Sequence, residues 1–127
     1  TKPGTNVDCQ ITGMAYPYGT YNDEVVQILK KCKIQYARSV VFSGAFKLQK
    51  NLLIFKPTCH HADENIWELL EKFLKEKSEE KQLFYIWGHS YEFDVNNNWK
   101  RMEEILDRLI GHNNIFYGTN REVLLPC

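Results

Sequence analysis

The hydrophobic positions follow two alternating patterns along the chain, one typical of strands and the other of helices. Apolar runs of extended character occur in QITGMAYP, IQYARSVVF and LFYIWGH, and polar or turn-forming residues close each run. Between these runs, residues 23–33 and 64–77 place apolar side chains three and four positions apart, the spacing of one helix face. Strands that alternate with helices predict an α/β fold with mainly parallel strands.

Capping residues mark the ends of the predicted helices. Asn22 precedes the first helix and Asp63 the second, and asparagines precede a third helix that stops at Gly111. The inner face of the first helix is predicted to comprise Val25, Ile28, Leu29 and Cys32, and that of the second Ile66, Leu69, Leu70, Phe73 and Leu74. The segments LLIF, NIFYGTN and EVLLP are predicted as short strands.

Composition indicates a packed protein and removes several partner classes. The 127 residues are 43% hydrophobic, which favours one domain over residues 1–127. Sixteen basic and sixteen acidic residues give a formal net charge of +0, so no charge pattern favours nucleic acid. No apolar segment approaches the roughly 20 residues of a membrane span, and nothing indicates a compartment. The four cysteines lack CxxC spacing, which favours reduced thiols and leaves their pairing open.

The loops after parallel strands are where catalytic groups collect, and this rule selects PYGTYND, TCHHADEN and GHSYEFD. His89 ends the most convincing strand, and by strand alternation it shares a face with Trp87. Imidazole can hold or release a proton near neutral pH, and Glu92 or Asp94 are candidates to orient the ring. A structural histidine at a strand end is the alternative.

The other two loops offer groups that suit a carbohydrate cleft. Consecutive side chains on an extended segment point in opposite directions, so TCHH does not predict a metal site built from this chain alone. We expect His60 and His61 to line a cleft, with solvated loop histidines as the alternative. Tyr16 and Tyr18 can stack on sugar faces, or can simply pack in a β-turn.

Together the three loops resemble, in order and spacing, the C-terminal half of the polysaccharide deacetylases, the NodB-homology carbohydrate esterases. The likeness extends roughly from Ile11 to Val123, and AYPYGTYND and WGHSYEFD are its most specific parts. It implies a partial (β/α) barrel, the C-terminal half of a distorted deacetylase-type barrel. It also implies metal-dependent removal of acetyl groups from an N-acetylated sugar polymer.

The resemblance assigns roles to individual residues. His89 matches the general acid that protonates the leaving amine, Trp87 matches a residue of the acetyl pocket, and Tyr18 matches a tyrosine whose backbone N–H holds the oxyanion. The family uses a divalent ion, often zinc, whose ligands and partner base lie in T-F-D-D and H-x-x-x-H segments. This chain contains neither segment, and Ala15 replaces the arginine of the R-P-P-Y-G motif. We therefore expect the metal site to be completed only in a longer parent protein, and this chain alone to be inactive.

Two other functions fit the same residues. One is a non-catalytic carbohydrate-binding module or pseudoenzyme that retains the aromatic cleft. The other is an open α/β domain without any connection to sugars. A half barrel would also expose sheet edges, which predicts self-association through them.

Overall fold

A computed structural model describes residues 10–125, which form two compact units. Of the described residues, the first unit contains 10–39, 50–55 and 117–125, and the second contains Val40–Gln49 and Lys56–Phe116. The strands are β1 (Gly13–Ala15), β2 (Tyr36–Arg38), β3 (Cys59–His60) and β4 (Ile86–Trp87). The helices are α1 (Asp23–Lys31), α2 (Ile66–Lys75), α3 (Tyr91–Asn96), α4 (Trp99–Leu109) and α5 (Asn120–Leu124).

Short parallel strand pairs joined by helices confirm the predicted mixture of α-helices and parallel strands. β1 pairs with β2, and β3 pairs with β4, each as a separate two-stranded parallel sheet. In residues 10–125 the strands do not close into a barrel. The interpretation of residues 1–127 as a single domain stays a prediction, as does self-association through sheet edges.

The first unit is built on a strand–helix–strand segment in which α1 connects β1 to β2. Asn22 caps α1 as predicted, because its side-chain oxygen accepts a hydrogen bond of 2.8 Å from the Val25 N–H. Two residues of the predicted inner face are confirmed, since Leu29 is buried and Val25 packs against the core. Ile28, at 49% exposed, and Cys32 face solvent instead, and Val26 is buried. The core of this unit consists of Tyr16, Val26, Leu29, Ala37 and Leu53.

The second unit repeats this arrangement, with α2 connecting β3 to β4. Cys59 lies opposite Ile86, and His60 lies opposite Trp87. The predicted inner face of α2 is confirmed by its fully buried Ile66 and Leu70. α4 packs on α2 and contributes one fully buried side chain, Ile105, to the same core. This core consists of Cys59, Ile66, Leu70 and Ile105.

Four predicted segments have a different local structure. LLIF contains a 3-10 turn at Leu52–Ile54 instead of a strand. The first three residues of EVLLP belong to α5, because Thr119 and Glu122 form a capping box that starts a helix. The loop GHSYEFD contains α3, and NIFYGTN forms no strand. Cys9 and Cys127 lie outside the described residues.

None of the helices within residues 10–125 has the length and apolar character needed to cross a bilayer.

Candidate functional site

One carboxylate and three histidines of the second unit meet at the carboxyl ends of β3 and β4. His60 is the last residue of β3, and His61 follows in the turn immediately after it. His89 comes two residues after the end of β4, and Glu92 lies in the first turn of α3. β3 and β4 are parallel and end at the same edge of their sheet. The loops that follow them therefore lie side by side, although they are far apart in the sequence.

A single oxygen of Glu92 is the centre of this cluster. Glu92 Oε1 lies 3.2 Å from His60 Nε2 and 3.1 Å from His61 Nε2. The same oxygen accepts a 2.6 Å hydrogen bond from the His89 backbone N–H and lies 3.4 Å from His89 Nδ1. The carboxylate therefore holds the ends of both strands together.

These contacts set the protonation state of Glu92. Partial burial alone would raise its pKa, but hydrogen bonds from the His89 N–H and His61, together with the charge and hydrogen bond of His60, lower it more. The net result is a pKa of about 2. Glu92 is therefore ionised at neutral pH and is an acceptor only.

The adjacent histidines converge, although the alternation of an extended strand predicts that they diverge. Their ring centroids are 4.2 Å apart, with a tilt of 34°. The reason is local, because β3 ends at His60 and the turn that follows redirects the His61 side chain. His61 is 3% exposed, whereas the His60 side chain is 25% exposed.

The second ring nitrogens of the two histidines differ in environment. His60 Nδ1 accepts a 3.0 Å hydrogen bond from the Ala62 N–H, which places the proton of a neutral ring on Nε2, facing Glu92. His61 Nδ1 is buried and has no hydrogen-bond partner in the described part of the chain. An unsatisfied buried ring nitrogen is costly, which makes His61 the unusual member of the cluster.

Arg101 of α4 fixes the loop that carries both histidines. Its Nε donates to the His61 carbonyl at 3.2 Å, and one terminal nitrogen donates to the Asp63 carbonyl at 2.7 Å. The same guanidinium lies 5.4 Å from the centre of the Trp67 ring on α2. Arg101 therefore attaches the histidine loop to α4 and, through its contact with Trp67, to α2.

Gly88 leaves the space that the His61 ring occupies. A Cβ atom at Gly88 would lie 2.0 Å from His61 Cδ2 and 2.6 Å from its Nε2. The ring is also confined by Phe93, whose centroid is 4.4 Å away. Any side chain at position 88 must therefore displace His61.

We expect Gly88→Ala to lower the free energy of unfolding by about 1–3 kcal/mol, the usual cost of overpacking a confined site. Urea denaturation followed by tryptophan fluorescence measures this change. The matched control introduces Gly88→Ala into a His61→Ala background, where only the backbone strain of a φ of 157° remains and the added cost should be clearly smaller. Equal costs in the two backgrounds would contradict the proposed contact.

Aromatic rings surround the exposed histidine. The Trp87 and His89 centroids are 5.8 Å apart at 77°, and the His89 and Tyr91 centroids are 5.4 Å apart at 32°. The His89 side chain is 54% exposed and Tyr91 is 63% exposed. The edge of Trp87 also meets the His60 ring, with centroids 4.8 Å apart. This surface joins flat apolar faces to titratable nitrogens, a combination that suits a sugar ring.

The remaining predicted site residues lie elsewhere or have other partners. Asp94 accepts a 2.7 Å hydrogen bond from the Trp99 indole, and Glu92 is the carboxylate beside His89. Tyr16 is 4% exposed in the core of the first unit, where its hydroxyl donates to the Leu53 carbonyl at 2.6 Å. Tyr18 also belongs to the first unit and is 96% exposed, with a left-handed φ of 55°.

The turn that contains Tyr18 is closed by two backbone hydrogen bonds. The Gly19 N–H donates to the Tyr16 carbonyl at 2.8 Å, and the Thr20 N–H donates to the Pro17 carbonyl at 3.1 Å. Neither bond uses the N–H of Tyr18. A substrate-binding role for Tyr16 and Tyr18 stays a prediction.

Three residues of this region were absent from the candidates that the sequence suggested. Gly88 directly precedes His89, and a glycine at the end of an apolar strand is a recognisable signal of close approach. Tyr91 is near His89 in sequence but became relevant only once residues 91–96 proved helical. Arg101 has no sequence signal, because the carbonyl that it contacts, that of His61, lies 40 residues away along the chain.

Cys59 neighbours the cluster in sequence but is chemically separate from it. It is fully buried, and burial is the main reason that its pKa rises to about 12, with a smaller contribution from Asp63. A neutral buried thiol is a poor nucleophile and a poor metal ligand. The chemistry of this region therefore belongs to the histidines and Glu92.

Comparison of the chain with protein-family models, with curated proteins and with solved structures finds no match in any of the three.

Proposed function

We propose that this chain supplies the proton donor and part of the carbohydrate-binding surface of a polysaccharide-deacetylase-like hydrolase. The single observation that carries this proposal is the setting of His89. Its Nδ1 lies 3.4 Å from an ionised Glu92, and its half-exposed ring stands between Trp87 and Tyr91. An imidazole held on one side by a carboxylate can present its other nitrogen to a substrate.

In the proposed reaction, water adds to the acetamide carbonyl of an N-acetylated sugar and the C–N bond then breaks. His89 gives its proton to the departing nitrogen, so that the products are acetate and a free amino sugar. Glu92 orients the His89 ring and stabilises the positive charge that the ring carries before the transfer. A divalent ion, when bound, polarises the carbonyl and lowers the pKa of the attacking water.

The proposed parent enzyme also contains T-F-D-D and H-x-x-x-H segments, which hold the base and metal ligands that the resemblance implies. The partial deacetylase barrel belongs to this proposal as well. The 127 residues contain neither segment, so acetate release by this chain alone is expected to be absent. Zinc-dependent acetate release from an acetylated glucosamine oligomer by these residues alone would contradict this division of roles.

The second candidate is a non-catalytic carbohydrate-binding module with the same surface. The exposed Tyr91 beside His89 favours it, since stacking on a sugar needs no metal or base. The replacement of the motif arginine by Ala15 also favours it. Both candidates require sugar binding, and only the first requires that His89 transfer a proton.

We expect chito-oligosaccharides to bind at the Trp87–His89–Tyr91 surface. In a titration followed by ¹H–¹⁵N NMR, the Trp87 indole signal should shift. The Trp67 signal should move little, because the guanidiniums of Arg101 and Arg108 lie 5.4 and 5.1 Å from the Trp67 ring centre. Trp87→Ala and Tyr91→Ala should each weaken binding by roughly 10-fold or more, in line with an aromatic anchor. An unchanged Trp87 signal at saturating sugar would favour an α/β domain without any connection to sugars.

A further inference from the structure

We propose that His60, His61 and Glu92 form a zinc-binding site that is contained entirely within this chain. This site is distinct from the metal centre implied by the deacetylase resemblance, whose ligands lie in segments that this chain lacks. It does not rest on the proposed function, because metal binding is measured without a sugar substrate.

The distances between the ligand atoms carry the proposal. His60 Nε2, His61 Nε2 and a Glu92 oxygen all lie within 4.8 Å of one another. The two nitrogen–oxygen distances are 3.2 and 3.1 Å. Zinc bonds to nitrogen and oxygen are about 2.0–2.1 Å long, so two ligands of a tetrahedral zinc are about 3.3 Å apart. Both nitrogen–oxygen separations are therefore already close to those around a bound zinc, and the two nitrogens are no more than 4.8 Å apart.

The chemical nature of the three ligands favours zinc over other divalent metals. Two imidazoles and one carboxylate form a set that catalytic zinc sites use, with the fourth position left for water or substrate. Magnesium and calcium prefer oxygen ligands, and thiolate-rich sites need deprotonated cysteines. Cys59 is fully buried and belongs to the core of the second unit, so the ligand set remains nitrogen and oxygen.

The ligands are held in place before any metal arrives. Arg101 fixes the carbonyls of His61 and Asp63, and the His89 backbone N–H holds the carboxylate of Glu92. Gly88 leaves room for the His61 ring at the position where Nε2 faces Glu92. A pre-organised set of ligands loses little conformational freedom when it binds an ion.

Zinc would rearrange the protons of the histidines. Each Nε2 must offer a lone pair to the metal, so the proton of the His60 ring moves to Nδ1. The Ala62 N–H then loses His60 Nδ1 as its acceptor and donates to water instead. Ala62 is exposed, which makes this exchange easy. The buried His61 Nδ1 has no partner in residues 10–125, so this ligand lacks the second hydrogen bond that usually orients a metal-bound histidine. We therefore expect roughly micromolar affinity, weaker than that of sites with complete supporting hydrogen bonds.

His89 lies beside the proposed zinc position and outside the group of three ligands. Its Nδ1 is 3.4 Å from the Glu92 oxygen, and its side chain is 54% exposed. The His89 ring is therefore a neighbour of one proposed ligand and remains accessible to solvent.

Isothermal titration of the 127-residue chain with zinc chloride, in a reducing phosphine buffer, tests the proposal. We expect one zinc per chain, and no binding when magnesium chloride is the titrant. His60→Ala, His61→Ala and Glu92→Gln should each weaken zinc binding by at least about 100-fold, since each removes a direct ligand. The control is His112→Ala, which removes the remaining histidine, three residues after the end of α4, and should leave the affinity unchanged.

X-ray absorption at the zinc edge tests the unaltered protein in case His61→Ala fails to fold. We expect only nitrogen and oxygen neighbours at about 2.0–2.1 Å, with the outer-shell scattering of imidazole. A sulfur shell at about 2.3 Å would assign the zinc to cysteines and overturn the proposal. Failure to bind one zinc per chain, or equal affinity in the unaltered protein and the His60→Ala and Glu92→Gln variants, would overturn it as well.

Discussion

Replacing His89 by glutamine is expected to lower the rate of acetate release by about 10²–10⁴-fold, the usual contribution of a positioned acid or base. The assay requires a protein that carries this chain together with the T-F-D-D and H-x-x-x-H segments. Glutamine keeps the approximate size and polarity of the side chain but cannot donate the proton that the leaving amine needs. The reduction should therefore appear in kcat, with a much smaller change in KM.

The matched control for His89→Gln is His112→Gln, which changes a histidine bonded to the Arg108 carbonyl at 2.9 Å. It should retain full activity. Glu92→Gln should reduce kcat less than His89→Gln, because Glu92 acts through the ring that it orients. If His89→Gln retained the parent rate while sugar binding persisted, the catalytic proposal would be wrong and the carbohydrate-binding module would be favoured.

Replacing Ile105 by alanine is expected to lower the free energy of unfolding of the second unit by about 2–5 kcal/mol. Ile105 is fully buried in a core with Cys59, Ile66 and Leu70, so truncation removes buried surface and leaves a cavity. Urea denaturation followed by tryptophan fluorescence reports on this unit specifically. All three tryptophans of the chain, Trp67, Trp87 and Trp99, belong to it.

The control for Ile105→Ala is its neighbour on α4, Leu106, which is 47% exposed. Leu106→Ala removes a side chain of the same size from the same helix and should cost no more than about 0.5 kcal/mol. A similar cost at both positions would mean that α4 does not face the core as described.

Three of the five helices of residues 10–125, α1, α2 and α4, could be predicted from the sequence because local signals determine them. Asn22 caps α1 through a contact with Val25, only three residues away. The capping box of α5 is equally local, with Thr119 and Glu122 at the required spacing, but the aliphatic run in EVLLP favoured a strand. The threonine–glutamate pair at this spacing is the sequence signal of the helix start.

The candidate site was predictable only in part. His60, His61, His89 and Glu92 were all candidates, because they follow the ends of predicted parallel strands. Their convergence was not predictable, since it depends on β3 ending at His60 and on residues 91–96 forming a helix. The choice between Glu92 and Asp94 also required the structure, because Asp94 is bonded to Trp99.

The face of α1 that packs on the first unit is only partly determined by the sequence pattern. Periodicity identifies α1 as amphipathic, but it does not decide which apolar residues beside Val25 and Leu29 face the core. Ile28 and Val26 are similar in chemistry, and only packing with Leu29, Ala37 and Tyr16 selects Val26. Tyr16 shows the same effect, because a tyrosine beside a turn can face a ligand or the core.

The attachment of Arg101 to the histidine loop has a consequence for hydrogen exchange. The amide of His61 is itself bonded to the Trp87 carbonyl at 3.0 Å, and Arg101 links the carbonyl of the same residue to α4. Opening of the loop must break these bonds as well, so the His61 amide should exchange with deuterium more slowly in the unaltered protein than in Arg101→Ala. A loop that would ordinarily fluctuate is thus protected by a side chain 40 positions away.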